Sequence, residues 1–172
     1  GPHGWGARVK IISGTYTGDG TSGRYITGVG WQPDFVYVKS NAAGGLGWYK
    51  FSSMQGRQAA IRNTDGAQDT NQIENLMPDG FIVSSDMNTN LIVYYYLAIR
   101  ADPRDCKVFT YIGDGNDARA FTGVGFQPGF VLIAHDEPGT AIKSKMKFAT
   151  QAGDTATELP ATADTSNWIQ SL

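Results

Sequence analysis

The sequence predicts an all-β protein built from two related β-sandwich units, the second lacking its C-terminal strands. Three observations carry that expectation. Residues 15–38 (TYTGDGTSGRYITGVGWQPDFVYV) recur as residues 110–133 (TYIGDGNDARAFTGVGFQPGFVLI) at a gapless offset of 95, with 14 of 24 positions identical. Chance at ordinary composition would give roughly two, and solenoid periods run only about 20–50 residues, so the repeat reads as a duplicated domain. Glycine is abundant at 22 residues against 14 Lys plus Arg, which suits many tight turns and few long charged side chains. Finally, short runs of Val, Ile, Phe and Tyr alternate with Asp-Gly and Asn-rich turns, the punctuation of strands.

Residues 1–7 read as a cleavage scar or N-terminal arm, since Gly1-Pro2-His3-Gly4 has the form a protease site leaves. The first unit spans residues 8–103 and the second 104–172. Residues 8–14 open the first unit as a short strand, and Thr15-Tyr16-Thr17 stays extended. Gly18-Asp19-Gly20 predicts a hairpin turn, because glycine tolerates the positive φ such turns demand, with residues 24–27 as the return strand. Gly28-Val29-Gly30 interrupts that strand at a bulge or bend. Pro33 makes a corner before residues 35–38 (FVYV), the firmest strand, with both faces covered.

A Gly/Ala/Asn loop over residues 41–47 leads to an aromatic strand at 48–51 (WYKF). Residues 52–76 are polar and weakly patterned, an irregular excursion with at most one or two short strands. Asp79-Gly80 turns into a strand at 81–83. Asn88-Thr89-Asn90 then leads to residues 91–99 (LIVYYYLAI), the most apolar segment and a central strand. The repeated plan begins at residues 106–109 and runs through 130–133, a loop at 136–139 and a strand at 146–148, with residues 165–172 aligned with 69–76. Within the 172 residues it has no counterpart of residues 77–100, which leaves an open apolar edge. Three arrangements answer that edge: strands from a partner chain or detached fragment, one sheet system shared by both copies, or a shortened but stable form. The first accords best with the point at which the alignment stops, just before the Asp-Gly-Phe hairpin of the first copy.

Composition excludes several function classes. The net charge is −2 and the basic residues cluster no further than Lys143, Lys145 and Lys147, so no nucleic-acid partner is expected. No apolar run approaches the 18 or so residues of a spanning helix, so no membrane insertion is expected. Cys106 is the one cysteine and reads as a small buried apolar residue.

His135, beside Asp136 and Glu137, falls short of the three or four ligands of a zinc site. It aligns with Ser40 in the first copy, and no G-x-S-x-G elbow accompanies it. The three glutamates, Glu74, Glu137 and Glu158, show no alternation that would pair two carboxylates on one strand face. Most of the 13 aspartates sit where turns explain them. No catalytic residue and no cofactor is therefore expected. Asp19, Asp114 and Asp117 are the calcium candidates, but each loop supplies only one or two carboxylates and a hairpin turn accounts for them.

The aromatics carry the better functional signal. Trp48 and Tyr49 follow the Gly-rich loop, Trp5 sits in the N-terminal arm, and Asn41, Asn88 and Asn90 lie in loops that could bond sugar hydroxyls. The competing placement for these rings is the core or a subunit interface. Trp31 and Phe126 precede equivalent strands and read as core anchors, and Arg24 and Arg119 as partners of a local acid or carbonyl.

Tyr16 to Gly20, Gly28 to Lys39, Asp79 to Phe81 and the strand from Leu91 to Arg100 together resemble a repeat found in tailed-phage and prophage virion proteins. That repeat reads Tyr-Thr-Gly-Asn/Asp-Gly, then Gly-Leu/Val-Gly-Phe-x-Pro-Asp-Phe-Val-x-Ile-Lys, then Asp-Gly-Phe and a Tyr/Ala/aromatic strand. The resemblance covers nearly the whole chain. It implies a concanavalin-like or jelly-roll sandwich in a tail fibre, head fibre or related appendage, and it brings no catalytic residues. The expected role is thus a non-enzymatic virion or extracellular component. It would assemble as an oligomer with other subunits, one of which completes the second sandwich, and contact host-surface glycans. The alternatives are a carbohydrate-binding module of a secreted protein and, further off, a glycoside hydrolase.

Overall fold

The computed structural model describes residues 8–54, 56–57, 61–62, 69–135, 144–159 and 164–165. The chain is all-β, as expected, and Ser85–Met87 forms a 3₁₀ turn. Five strands form the first antiparallel sheet: β1 (Lys10–Thr17), β3 (Phe35–Ser40), β4 (Gly47–Phe51), β5 (Ile61–Arg62) and β8 (Val93–Arg100), in the order β1-β8-β3-β4-β5. A second sheet holds β2 (Arg24–Ile26), β6 (Ile73–Met77) and β7 (Gly80–Val83), in the order β2-β7-β6. A third holds β9 (Phe130–Ile133), β10 (Ser144–Phe148), β11 (Ala156–Leu159) and β12 (Asp164–Thr165), in the order β12-β11-β10-β9.

The first two sheets pack as a sandwich, and strand alternation decides which side chains meet between them. Register places Val36 beside Ala98 and Lys50, and Val38 beside Tyr96 and Trp48, all on the inner face. Ile26, Ile73, Phe81 and Val83 answer from the three-stranded sheet to complete one cluster with Tyr16 and Tyr94. Tyr16 stacks on Tyr94 at 5.0 Å and meets Phe81 edge-on at 6.5 Å, so rings tie the two sheets together. Opposite Tyr96 stands Gly14, where a Cβ would overlap the tyrosine ring. The missing side chain lets that ring lie across β1.

The long apolar strand is central, as the sequence predicts, inserted between β1 and β3. The Gly18-Asp19-Gly20 hairpin is not formed. β1 pairs with β8 and β2 with β7, so this turn carries the chain from one sheet to the other. Gly28 and Gly30 make the predicted bend, with φ of 91° and 84°. The Asp79 carboxylate accepts both of their amides, at 3.1 and 2.5 Å. Two separated motifs thus meet at one point, since Asp79 and Gly80 turn β6 into β7. The 52–76 excursion holds β5 and the start of β6, its residues 55, 58–60 and 63–68 lying outside the described ones.

The third sheet repeats the β3–β4 pairing in detail. Phe130 stands opposite Phe148 and Val131 opposite Lys147, as Phe35 does to Phe51 and Val36 to Lys50. Residues 106–129 carry no strand, because their first-copy counterparts pair only with β7 and β8. The 136–139 loop and the 166–172 segment of the internal alignment lie outside the described residues. Among the described residues, no helix is long and apolar enough to cross a membrane.

Candidate functional site

An open cleft of about 410 Å³ lies at one end of the sandwich. Its walls come from the ends of β3 and β4, from Gln72 just before β6, and from the turn that leads into β8. Trp48 forms its apolar floor, with Leu46 and Ile92 beside it, while Ser40, Gln72, Asp86 and Thr89 bring polar groups to the rim. Ser84 caps the 3₁₀ turn by accepting from the Asp86 amide, which fixes Asp86 there. Tyr94 holds the far side, accepting from the Thr89 amide at 3.1 Å. Gln72 donates to Asp69 at 3.0 Å. Among the described residues, Asp86 is the one carboxylate in this lining.

The structure scatters the predicted sugar-binding residues. Trp48 lines the cleft but is only 4 % exposed, because alternation places it with Val36 and Val38 on the inner face. Tyr49 points from the opposite face, so the two rings cannot form one platform. It packs on Phe35 and Phe51, its hydroxyl meets that of Ser144 in β10, and burial pushes its pKa up to about 12 despite that contact. Asn41 and Asn90 are exposed, whereas Asn88 is fully buried.

Asn88 instead organises the Asp19 corner. Its Nδ2 donates to Asp19 Oδ1 at 2.5 Å and to the Thr21 carbonyl at 2.8 Å, and its Oδ1 accepts from Arg24 at 3.0 Å. Asp19 also accepts from the Thr21 hydroxyl and amide, which, with Asn88 and Arg24, hold its carboxyl at about 2. The calcium candidate Asp19 is therefore engaged inside its own turn. Asp114 accepts from the Asn116 amide and lies 3.4 Å from Arg119, while Asp117 accepts from the Ala118 amide. No group of three or more potential metal ligands occurs among the described residues. Arg24 and Arg119 do pair locally, bonding the carbonyls of Thr17 and Ile112 at 2.6 Å each.

The cleft residues that sequence reasoning missed are Gln72, Asp86 and Thr89. Each is ordinary in its local sequence, and only the folding of β6 and β8 toward one end brings them together. Residues 11–99, just over half the chain, match a family described as a domain of unknown function, DUF7483. The chain belongs to the DUF7483 family. The match starts in β1 and ends in β8, so the family's domain here is the two-sheet sandwich with its cleft. No curated protein matches this DUF7483 chain, and no solved structure does.

Proposed function

We propose that this DUF7483 chain is a non-catalytic building block of a virion or other extracellular appendage, working in an assembly with other chains. The observation that carries this reading is the outer face of the five-stranded sheet. Tyr95, Leu97 and Ile99 form a row along β8, flanked by Ile11 and Phe35, with Ile11 64 % and Tyr95 53 % exposed. Contiguous apolar surface of this kind marks an interaction face more often than a solvent face. The resemblance to phage virion repeats supplies the setting. Sedimentation velocity tests it: the chain should run heavier than one copy across the micromolar range. An Ile11→Glu, Tyr95→Glu double variant should run as a monomer. A wild-type chain that stays monomeric, alone and with candidate neighbour subunits, refutes the reading.

A second activity, binding of short surface glycans, is favoured by the cleft. An apolar floor with a few convergent polar groups is the usual form of a small-ligand site. The same cleft would serve a carbohydrate-binding module of a secreted protein. A glycan array separates the two, since sugar binding by a monomer favours the module. Asp86→Ala should abolish any sugar signal without unfolding the chain.

A further inference from the structure

Lys50 stands in β4 at a position where alternation dictates the face. Trp48, two residues earlier, faces the core, and register sets Lys50 beside Val36, so the lysine is carried between the two sheets with them. It is only 3 % exposed. Burying an ammonium is costly unless an opposite charge or a full set of hydrogen bonds accompanies it. Among the described residues, Lys50 has neither. Its one bond there runs to the Gly56 carbonyl at 2.7 Å, which leaves two of its three N–H groups over. The acids of the neighbouring segments are committed elsewhere. Glu74 pairs with Arg57 at 2.6 Å, while Asp34 accepts from the Ser52 hydroxyl at 2.9 Å and from the Ala101 amide at 2.8 Å. Burial alone lowers the amine's pKa to about 8, with no neighbouring charge to offset it.

The lysine lines a cavity of about 160 Å³, together with Gln32, Ser52, Asn75 and the apolar Met54 and Leu76. Gln32 comes from the corner before β3. Asn75 comes from β6, where the register slips between Ile73 and Asn75. A bulge of that kind re-aims the side chains beside it and is common next to binding sites. Among the described residues no carboxylate lines this cavity, and neither the Gln32 nor the Asn75 amide is bonded to another side chain. Gln32 and Ser52 are exposed, so the cavity communicates with solvent on their side. It shares no lining residue with the cleft floored by Trp48.

We propose that this cavity is an anion subsite, taking a single carboxylate or phosphate group between the Lys50 ammonium and the side-chain amides of Gln32 and Asn75. An oxyanion answers each shortfall at once. It gives the buried cation its counter-charge, and its oxygens accept from the spare N–H groups in charge-assisted bonds. A cationic ligand would meet no acid there, and an apolar one would leave the donors bare. The opening beside Gln32 admits either a free ion or the acidic end of a larger molecule. The subsite goes beyond the assembly reading and does not depend on it, since it lies between the sheets rather than on the outer face.

The probes are sodium acetate, inorganic phosphate and glucuronate, each titrated into the full chain at pH 7 against sodium chloride of matched ionic strength. Thermal unfolding and the side-chain amide resonances of Gln32 and Asn75 are followed together. At least one probe should raise Tm saturably where chloride does not, and shift both amide resonances over the same concentrations. A response to phosphate alone assigns a tetrahedral group. A response to acetate and glucuronate assigns a carboxylate, and tighter binding of glucuronate places it on an acidic sugar. Lys50→Met, which keeps the apolar stem, should weaken binding at least about tenfold. Gln32→Leu, at an exposed position, should weaken it by about threefold to tenfold, and it carries the test if Lys50→Met does not fold. No saturable effect beyond chloride overturns the proposal. So does binding that both variants leave unchanged, or binding that moves other resonances while those of Gln32 and Asn75 stay still.

Discussion

Replacing Asn88 with alanine tests the account of how the sandwich corner is held. The side chain is fully buried and bonds five groups: Asp19 Oδ1, the Thr21 carbonyl, the Thr21 hydroxyl at 3.3 Å, the Asp19 amide at 3.3 Å and Arg24. Truncation leaves Arg24 with the Thr17 carbonyl and Asp19 with Thr21, so those two keep partners. The Thr21 carbonyl and the Asp19 amide lose theirs, and a polar cavity opens beneath the turn. With about 1 kcal/mol for each orphaned, partly hydrated group and a similar amount for the lost volume, Asn88→Ala should cost about 2–3 kcal/mol. For a unit of this size that is roughly a 10–15 °C fall in Tm. Urea unfolding followed by tryptophan fluorescence gives the free energy, and calorimetry the Tm. Asn41→Ala and Asn90→Ala, at exposed positions, should stay within about 0.5 kcal/mol of the parent. If all three substitutions cost the same, or Asn88→Ala costs under about 1 kcal/mol, the corner is not held as described.

Three further outcomes follow from single residues. Leu91 is 78 % exposed with φ of 64°, so Leu91→Gly should raise stability by about 1 kcal/mol, measured by urea midpoint at constant m. The Asp19 carboxyl titrates near 2 in the fold against 3.8 unfolded, so its stabilisation is complete above about pH 4 and disappears as pH falls toward 2; Asp19→Asn should flatten that part of an acid-unfolding profile. Burial pushes the Lys50 ammonium down to about 8 from 10.5, so the unfolded chain binds the extra proton between those values and stability should rise from pH 8 to 10. Lys50→Met should remove that rise in urea titrations across the same range.

Much of the fold was legible because strands announce themselves locally. FVYV, WYKF and LIVYYYLAI are runs of residues that favour a pleated surface, and each forms a strand within two residues of its expected limits. Pairing was not legible, because it depends on distant partners. Gly18-Asp19-Gly20 has the local chemistry of a hairpin, but Asn88, far along the chain, holds it as a bridge between sheets. Residues 105–112 resemble β1 yet form no strand, since a strand is defined by what lies beside it.

The candidate site suffered in the same way. Trp48 and Tyr49 are adjacent in sequence and so point to opposite faces, and a run as uniformly aromatic as β4 does not say which face is inner. The cleft residues Gln72, Asp86 and Thr89 have no common pattern at all. The internal repeat matched Phe35 with Phe130, but the equivalence of Lys50 and Phe51 with Lys147 and Phe148 lies beyond the repeated stretch and is visible only in the register, once β10 is set against β4.

β8 is the last strand of the first sandwich to be made and occupies the middle of its larger sheet. A ribosome working at roughly 5–20 residues per second needs about 3–12 s to travel from Ser40 to Arg100. Throughout that interval the nascent β3 has one edge vacant, and Val36 and Val38, later inaccessible to water, have nothing to shelter them. Synthesis speed and chaperone supply, rather than the strength of any single contact, would then govern how much of this polypeptide matures in a cell.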